Sequence, residues 1–246
     1  MTGFAHLHVH SYFSLLDGTV SPQALVERAK QLDMRYLALT DRNSLAGAVE
    51  FYKHAQNKGI HPIIGAEIDF NDMGPMVFLA MDADGYSNLS NLITVGNLRG
   101  GHLQFDLKLN DIFSRKRGLI AICGGQRGHL WQHIRKRDLK AAQQHTRKLK
   151  GVFGNQLYIA VQHFDESDRL YNLRLRDLAI TMQVPLVATN DVFLCHAGDW
   201  ETRRALRAIA QNTLIDRATG VGTPEQYLKS GKDILALLSY LPAAIS

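Results

Sequence analysis

His6-Leu7-His8-Val9-His10, followed by Ser11-Tyr12-Phe13-Ser14-Leu15-Leu16-Asp17-Gly18, is the stretch on which the reading of this chain turns. Phe4 to Val9 reads as a short strand. In a strand, residues two apart share a face, so His8 and His10 point one way and Val9 the other. Paired imidazoles on one face suit zinc or manganese, provided that carboxylates from elsewhere join them. The fold must therefore bring distant acids to the end of this strand.

Working outward, the chain alternates between strand and helix periods. Ser21-Pro22 supplies an N-cap with proline at the first helical position, and Leu25, Ala29 and Leu32 follow as one apolar stripe. Tyr36 to Leu39 reads as a buried strand ending at Thr40-Asp41, and residues 46–58 as a helix stopped by Gly59. Further strands are expected at Pro62–Ile64, running into Gly65-Ala66-Glu67, and at Met76–Ala80, Leu119–Ile122, Leu157–Val161 and Leu186–Ala188. Helices are expected at 139–149, 169–182 and 200–211. Repeated strand-then-helix units predict a mainly parallel sheet, and about seven of them favour a barrel. In such a barrel the C-terminal strand ends share one face, where His8, His10, Asp41, Glu67 and Asp191 would meet. Residues 215–231 read as an irregular surface excursion. No low-complexity linker interrupts the chain, so residues 1–246 are expected to form a single domain.

The bulk properties agree with a soluble enzyme-sized domain. Of 246 residues, 46% are hydrophobic and 21% charged, ordinary values for a globular protein. No apolar run reaches the length needed to span a membrane. Two distant cysteines, Cys123 and Cys195, with no secretory signal, predict a reducing, cytoplasmic setting and inert core thiols. The net charge of +5 is uneven. Basic clusters lie at Arg115-Lys116-Arg117, Arg135-Lys136-Arg137, Arg147-Lys148 with Lys150, and Arg203-Arg204 with Arg207. They are read either as solvated helix faces or as a surface for the phosphate backbone of DNA.

The segment His6 to Gly18 resembles the opening motif of the PHP (polymerase and histidinol phosphatase) family, and in particular the PHP domains of bacterial replicative polymerases. Ala38-Leu39-Thr40-Asp41 with Asn43, Leu45 and Gly47 is similar to the second motif, and Pro62-Ile63-Ile64-Gly65-Ala66-Glu67 to the third. Gly85-Tyr86-Ser87-Asn88-Leu89, Pro185 to Val192 and Pro224-Glu225-Gln226-Tyr227-Leu228 extend the likeness to Leu241-Pro242-Ala243-Ala244. The resemblance implies a distorted (β/α)7 barrel with up to three metals at its mouth. Five positions match the family's ligands: His8, His10, Asp17, Glu67 and Asp191. Four do not: Arg42, a position at Pro75 or Met76, one near Gly125, and Phe193.

These losses fall in a pattern. The family's first metal uses the positions of His8, His10, Glu67 and Asp191, all retained. The second needs the positions near Pro75 and Gly125, and the third those of Arg42 and Phe193, leaving only Asp17. One zinc or manganese ion at most is therefore expected. Clustered-metal hydrolysis clamps both the attacking and the leaving oxygens, which one ion does less well. Arg42 cannot bind metal, but its guanidinium suits phosphate.

Several residues keep two readings. His6 is either a third ligand or support for the other two. Asp17 is either a ligand or a turn residue before Gly18. Asp41 either caps the next helix or contacts metal. His163 is read as pocket-lining, and His102, His129 and His145 as surface. The resemblance implies a replication module with weak or lost phosphoesterase or 3′-5′ exonuclease activity and no polymerase active site. Its partners would be the remaining polymerase regions, or replisome subunits such as a proofreading exonuclease. The alternative is a free-standing metal-dependent phosphoesterase, which would be expected to keep histidines where Arg42 and Phe193 stand.

Overall fold

The computed structural model describes residues 4–101 and 104–245. Its elements run α1 (Pro22–Gln31), β1 (Tyr36–Leu39), α2 (Ala48–Lys58), β2 (His61–Phe70), β3 (Gly74–Ala80), α3 (Ala83–Gly100), β4 (Leu119–Cys123), α4 (His129–Arg135), α5 (Leu139–Phe153), β5 (Leu157–Val161), α6 (Asp168–Met182), β6 (Leu186–Ala188), α7 (Trp200–Ala210) and α8 (Gly231–Leu237). The six strands form one sheet in sequence order, giving the mixed α/β fold that the alternation predicts. The chain divides into two compact units. One comprises the chain up to Ile64 with Asn190–Ile234, the other Gly65–Thr189 with the chain from Leu235 on.

The first unit is built around α1 and α2. Ser21 Oγ accepts the Ala24 amide proton at 3.1 Å and starts α1, and Gly59 ends α2 in the left-handed region at φ 71°. Leu25, Val26 and Ala29 of α1 pack with Phe51 and Ala55 of α2 and with Leu37 and Leu39 of β1. Each large aliphatic side chain so buried contributes about 1.5–3 kcal/mol. The expected first strand, Phe4–Val9, is present as two isolated parallel bridges, His6 to Leu37 and Val9 to Val192. A side chain interrupts its ladder: the Val9 amide donates to Thr40 Oγ1 at 2.8 Å, and that hydroxyl donates to the Val9 carbonyl.

The second unit departs from the expected parallel order. β2 and β3 pair antiparallel from Gly65–Leu79 to Phe70–Gly74, and β3 pairs antiparallel with β4. Only residues 71–73 join β2 to β3, whereas a parallel return needs a crossover of a dozen residues or more. Parallel pairing holds for β1/β2, β4/β5 and β5/β6. Helices α3 and α4 lie outside the sequence expectations. In α3, three glycines and several serine and asparagine residues dilute the apolar stripe of Leu89, Leu92 and Gly96. One of those glycines is required: a Cβ on Gly85 would lie 2.0 Å from the Gly118 carbonyl oxygen.

Residues 215–231 are irregular and mostly exposed over their first half, but not at the end. Gln226, Leu228 and Lys229 are buried. Backbone bonds from Phe193 and Leu194 to the Gln226 carbonyl, and from Leu228 to the Leu194 carbonyl, fasten this segment beside the residues that follow β6.

Candidate metal centre

In the first unit, His8 and His10 converge on one carboxylate oxygen. His8 Nε2 lies 3.2 Å and His10 Nε2 3.3 Å from Asp191 Oδ1, and all three residues are buried. The tautomer of His10 follows from its other nitrogen. Ser14 Oγ donates its one proton to Asp41 Oδ1 at 2.7 Å, so it accepts from the Arg42 amide at 3.0 Å and from His10 Nδ1 at 3.0 Å. Nδ1 therefore carries a proton, and Nε2 is the nitrogen turned to Asp191. Two ring nitrogens facing one buried carboxylate oxygen make a place for a cation, a proton or a metal ion, between them.

Asp41 is thus neither a helix cap nor a member of this group. Its carboxylate holds the 11–14 turn, accepting from the Ser11 amide and hydroxyl as well as from Ser14, each at 2.7 Å. Asp191 sits in the bend after β6 with φ 45°, a left-handed conformation that Asp and Asn tolerate better than most residues. Its second oxygen, Oδ2, accepts from Gln226 Nε2 at 2.9 Å.

Asp17 is buried but otherwise engaged. Its Oδ1 accepts from both Nε and Nη2 of Arg203 at 2.9 Å, and Arg203 itself is only 1% exposed. Arg203 also donates from Nη1 to Gln226 Oε1 at 2.7 Å and lies 3.5 Å over the Phe193 ring. Phe193 in turn stacks on His10, with centroids 4.1 Å apart and planes 7° from parallel. The reading of the 203–207 cluster as a solvated or DNA-facing run fails at Arg203. An arginine on the buried face of a helix needs a buried acid, and Asp17 supplies it. Gln226 was also missed as a functional residue, because no periodicity marks an irregular segment.

The other expected residues are placed as follows. His6 is fully buried and donates from Nε2 to the Lys229 carbonyl at 2.9 Å; burial pushes its pKa down to about 4, so the ring is neutral. Arg42 is exposed and reaches this network through its backbone amide. In the second unit, the buried Glu67 carboxylate pairs through Oε2 with Arg127 Nη2 at 2.6 Å. His163 bonds through Nδ1 to the Tyr240 hydroxyl at 2.9 Å, and that hydroxyl also accepts from Asn172.

The surface reading of His129 and His145 is corrected. Both are partly buried and gather with His133, at ring centroid distances of 6.4 Å for His129–His145 and 5.8 Å for His133–His145. His102 lies outside the described residues. Cys123 and Cys195 are buried free thiols, pushed up by burial to about 12 and 11, and so unreactive at neutral pH.

Among the described residues, one group of histidines and acids could hold a metal ion: His8, His10, Glu67 and Asp191, all buried. Two imidazoles and two carboxylates are a donor set that zinc or manganese accepts. Among the described residues, no helix is long and apolar enough to cross a membrane.

A mixed α/β sheet carrying a buried two-histidine, two-carboxylate group defines the class of protein. The PHP domain family profile matches residues 6–164, and the chain belongs to that family. The chain is similar to the DNA polymerase III subunit alpha of Borreliella burgdorferi and to that of Pseudomonas aeruginosa, each 32% identical over 98% of this chain. The error-prone DNA polymerase of Symbiobacterium thermophilum is likewise 32% identical over 98%. The chain spans 22–24% of the length of these relatives. Among solved structures, it is similar in fold to a Bifidobacterium adolescentis protein assigned as a metal-dependent phosphoesterase (TM-score 0.54, 15% identity, 76% of this chain and 86% of that one). A two-domain Bacteroides vulgatus protein containing a predicted PHP-like metal-dependent phosphoesterase gives a TM-score of 0.53 at 15% identity, over 94% of this chain and 61% of that one.

Proposed function

We propose that residues 1–246 form the PHP domain of a bacterial DNA polymerase III α subunit or an error-prone relative, acting in DNA replication in the cytoplasm. The domain holds one zinc or manganese ion on His8, His10, Glu67 and Asp191. Its phosphoesterase or 3′-5′ exonuclease activity is weak or lost, and its role is structural: it supports the remaining polymerase regions and docks a replisome subunit such as a proofreading exonuclease. The observation that carries this reading is the fate of Asp17. A carboxylate that would serve a further metal accepts two bonds from Arg203 on Oδ1, with Arg207 4.0 Å from Oδ2, and Arg203 itself lies over the Phe193 ring.

When bound, the ion would supply Lewis-acid chemistry, polarising a phosphate oxygen or a water. The chain's own residues orient the ligands. Ser14 and Asp41 fix His10, Gln226 steadies Asp191, and Phe193 keeps water from the inner face of the His10 ring. His163 is assigned to a pocket lining, and Arg42 to contact with a phosphate. The test is hydrolysis of a 3′-labelled oligonucleotide by the pure chain with manganese or zinc added. Negligible turnover and no nucleotide incorporation are expected. Robust metal-dependent release of nucleotides, abolished by His8→Ala, would overturn the lost-activity reading and favour the free-standing phosphoesterase.

A further inference from the structure

We propose that Arg203 is a positioning residue for the metal ligands, acting on Asp191 through Gln226 and on His10 through Phe193. The inference rests on the metal reading above. A guanidinium offers only donors, so the side chain facing it must present an acceptor. Arg203 Nη1 thereby selects the oxygen of the Gln226 amide at 2.7 Å, assisted by the Thr223 amide at 3.2 Å. The amide NH2 is then left facing Asp191 Oδ2, to which it donates at 2.9 Å. With Oδ2 occupied, Oδ1 is the oxygen turned to His8 and His10. A flipped amide would set oxygen against oxygen and push the carboxylate out of line.

The second arm is apolar. The guanidinium 3.5 Å over the Phe193 ring and the near-parallel Phe193–His10 stack fix the tilt of the His10 ring. Asp17 anchors the whole device by accepting two bonds on one oxygen. Lysine cannot replace this arrangement, because a point charge cannot bond Asp17 and Gln226 at once while lying flat on a ring.

The test is metal affinity, measured on the full chain by manganese and zinc titration with a competing chelator. Arg203→Lys and Gln226→Leu should each weaken binding about 10–100-fold, the range for partners that orient ligands. Their combination should be no weaker than the worse single variant, because both break one relay. Removing Arg203 alone takes both hydrogen bonds from a buried carboxylate and leaves it only Arg207 at 4.0 Å, so Asp17→Asn with Arg203→Met provides a charge-balanced second route and should show the same weakening. If these variants melt earlier yet keep wild-type metal affinity, Arg203 is only a structural ion pair and the proposal is overturned. Additive losses in the combined variant would overturn it too. No metal binding by the wild type would instead overturn the metal reading, and this inference with it.

Discussion

Two groups of histidines meet opposite surroundings in this molecule. In the first unit, His8 and His10 aim ring nitrogens at a single Asp191 oxygen, deep in the structure. In the second, His129, His133 and His145 face one another, with Lys148 beside them and Asp72 as their acidic neighbour, itself paired to Lys148 at 3.6 Å. Burial, together with the two other imidazoles and Lys148, pushes the pKa of His145 down to about 4. His145, crowded by two imidazoles and a lysine, settles as a neutral packing group. Two imidazoles around a carboxylate make a place for a cation. The anionic oxygen, rather than the number of histidines, marks the metal centre.

The sharpest way to break this contrast is to exchange the fates of the two groups. Asp191→Asn or His10→Ala should weaken manganese or zinc binding by more than the roughly 10–100-fold that orienting partners are worth. His145→Ala should leave it unchanged. Equal losses from both would show that the second group also binds the ion.

Next in size is the buried ion pair. Arg203→Met should cost about 3–5 kcal/mol in urea unfolding, because buried Asp17 is left with only Arg207 Nη1, 4.0 Å from Oδ2. Adding Asp17→Asn should recover most of that loss. A loss under about 1 kcal/mol would mean that Asp17 has found another cation.

A smaller effect is expected from pH. His145 binds a proton near pH 6.5 when unfolded but only near 4 when folded. Between those values the unfolded chain holds more protons, so stability falls as pH drops from 6.5 to 4 and levels off below. The contribution is at most about 3 kcal/mol, reduced by the partial exposure of the ring. His145→Leu should flatten this part of the stability–pH curve. An unchanged slope would place the titration elsewhere.

Much of the site was legible in the sequence, and the reason is local. β1, β5 and β6 fall where short apolar runs between turn residues put them, and the His-x-His spacing places both imidazoles on one side. The misses share a different origin. The β2/β3 hairpin follows from a three-residue connection too short for a crossover, a fact of chain length rather than of periodicity. α3 hides because Gly85 serves close packing and weakens the helical pattern. Arg203 reads as surface because charge on a helix is normally solvated; only its contacts with Asp17 and Gln226, 186 and 23 residues away, make it a core residue. Sequence spacing carries no information on contacts of that range.

In this reading the histidine pair holds one cation, and a guanidinium serves the carboxylate that would otherwise hold another. Anomalous diffraction from crystals grown with manganese or zinc tests it directly. One peak is expected, at His8 Nε2, His10 Nε2 and Asp191, with Arg203 still on Asp17. A second peak beside Asp17, or no peak at the histidines, would contradict it.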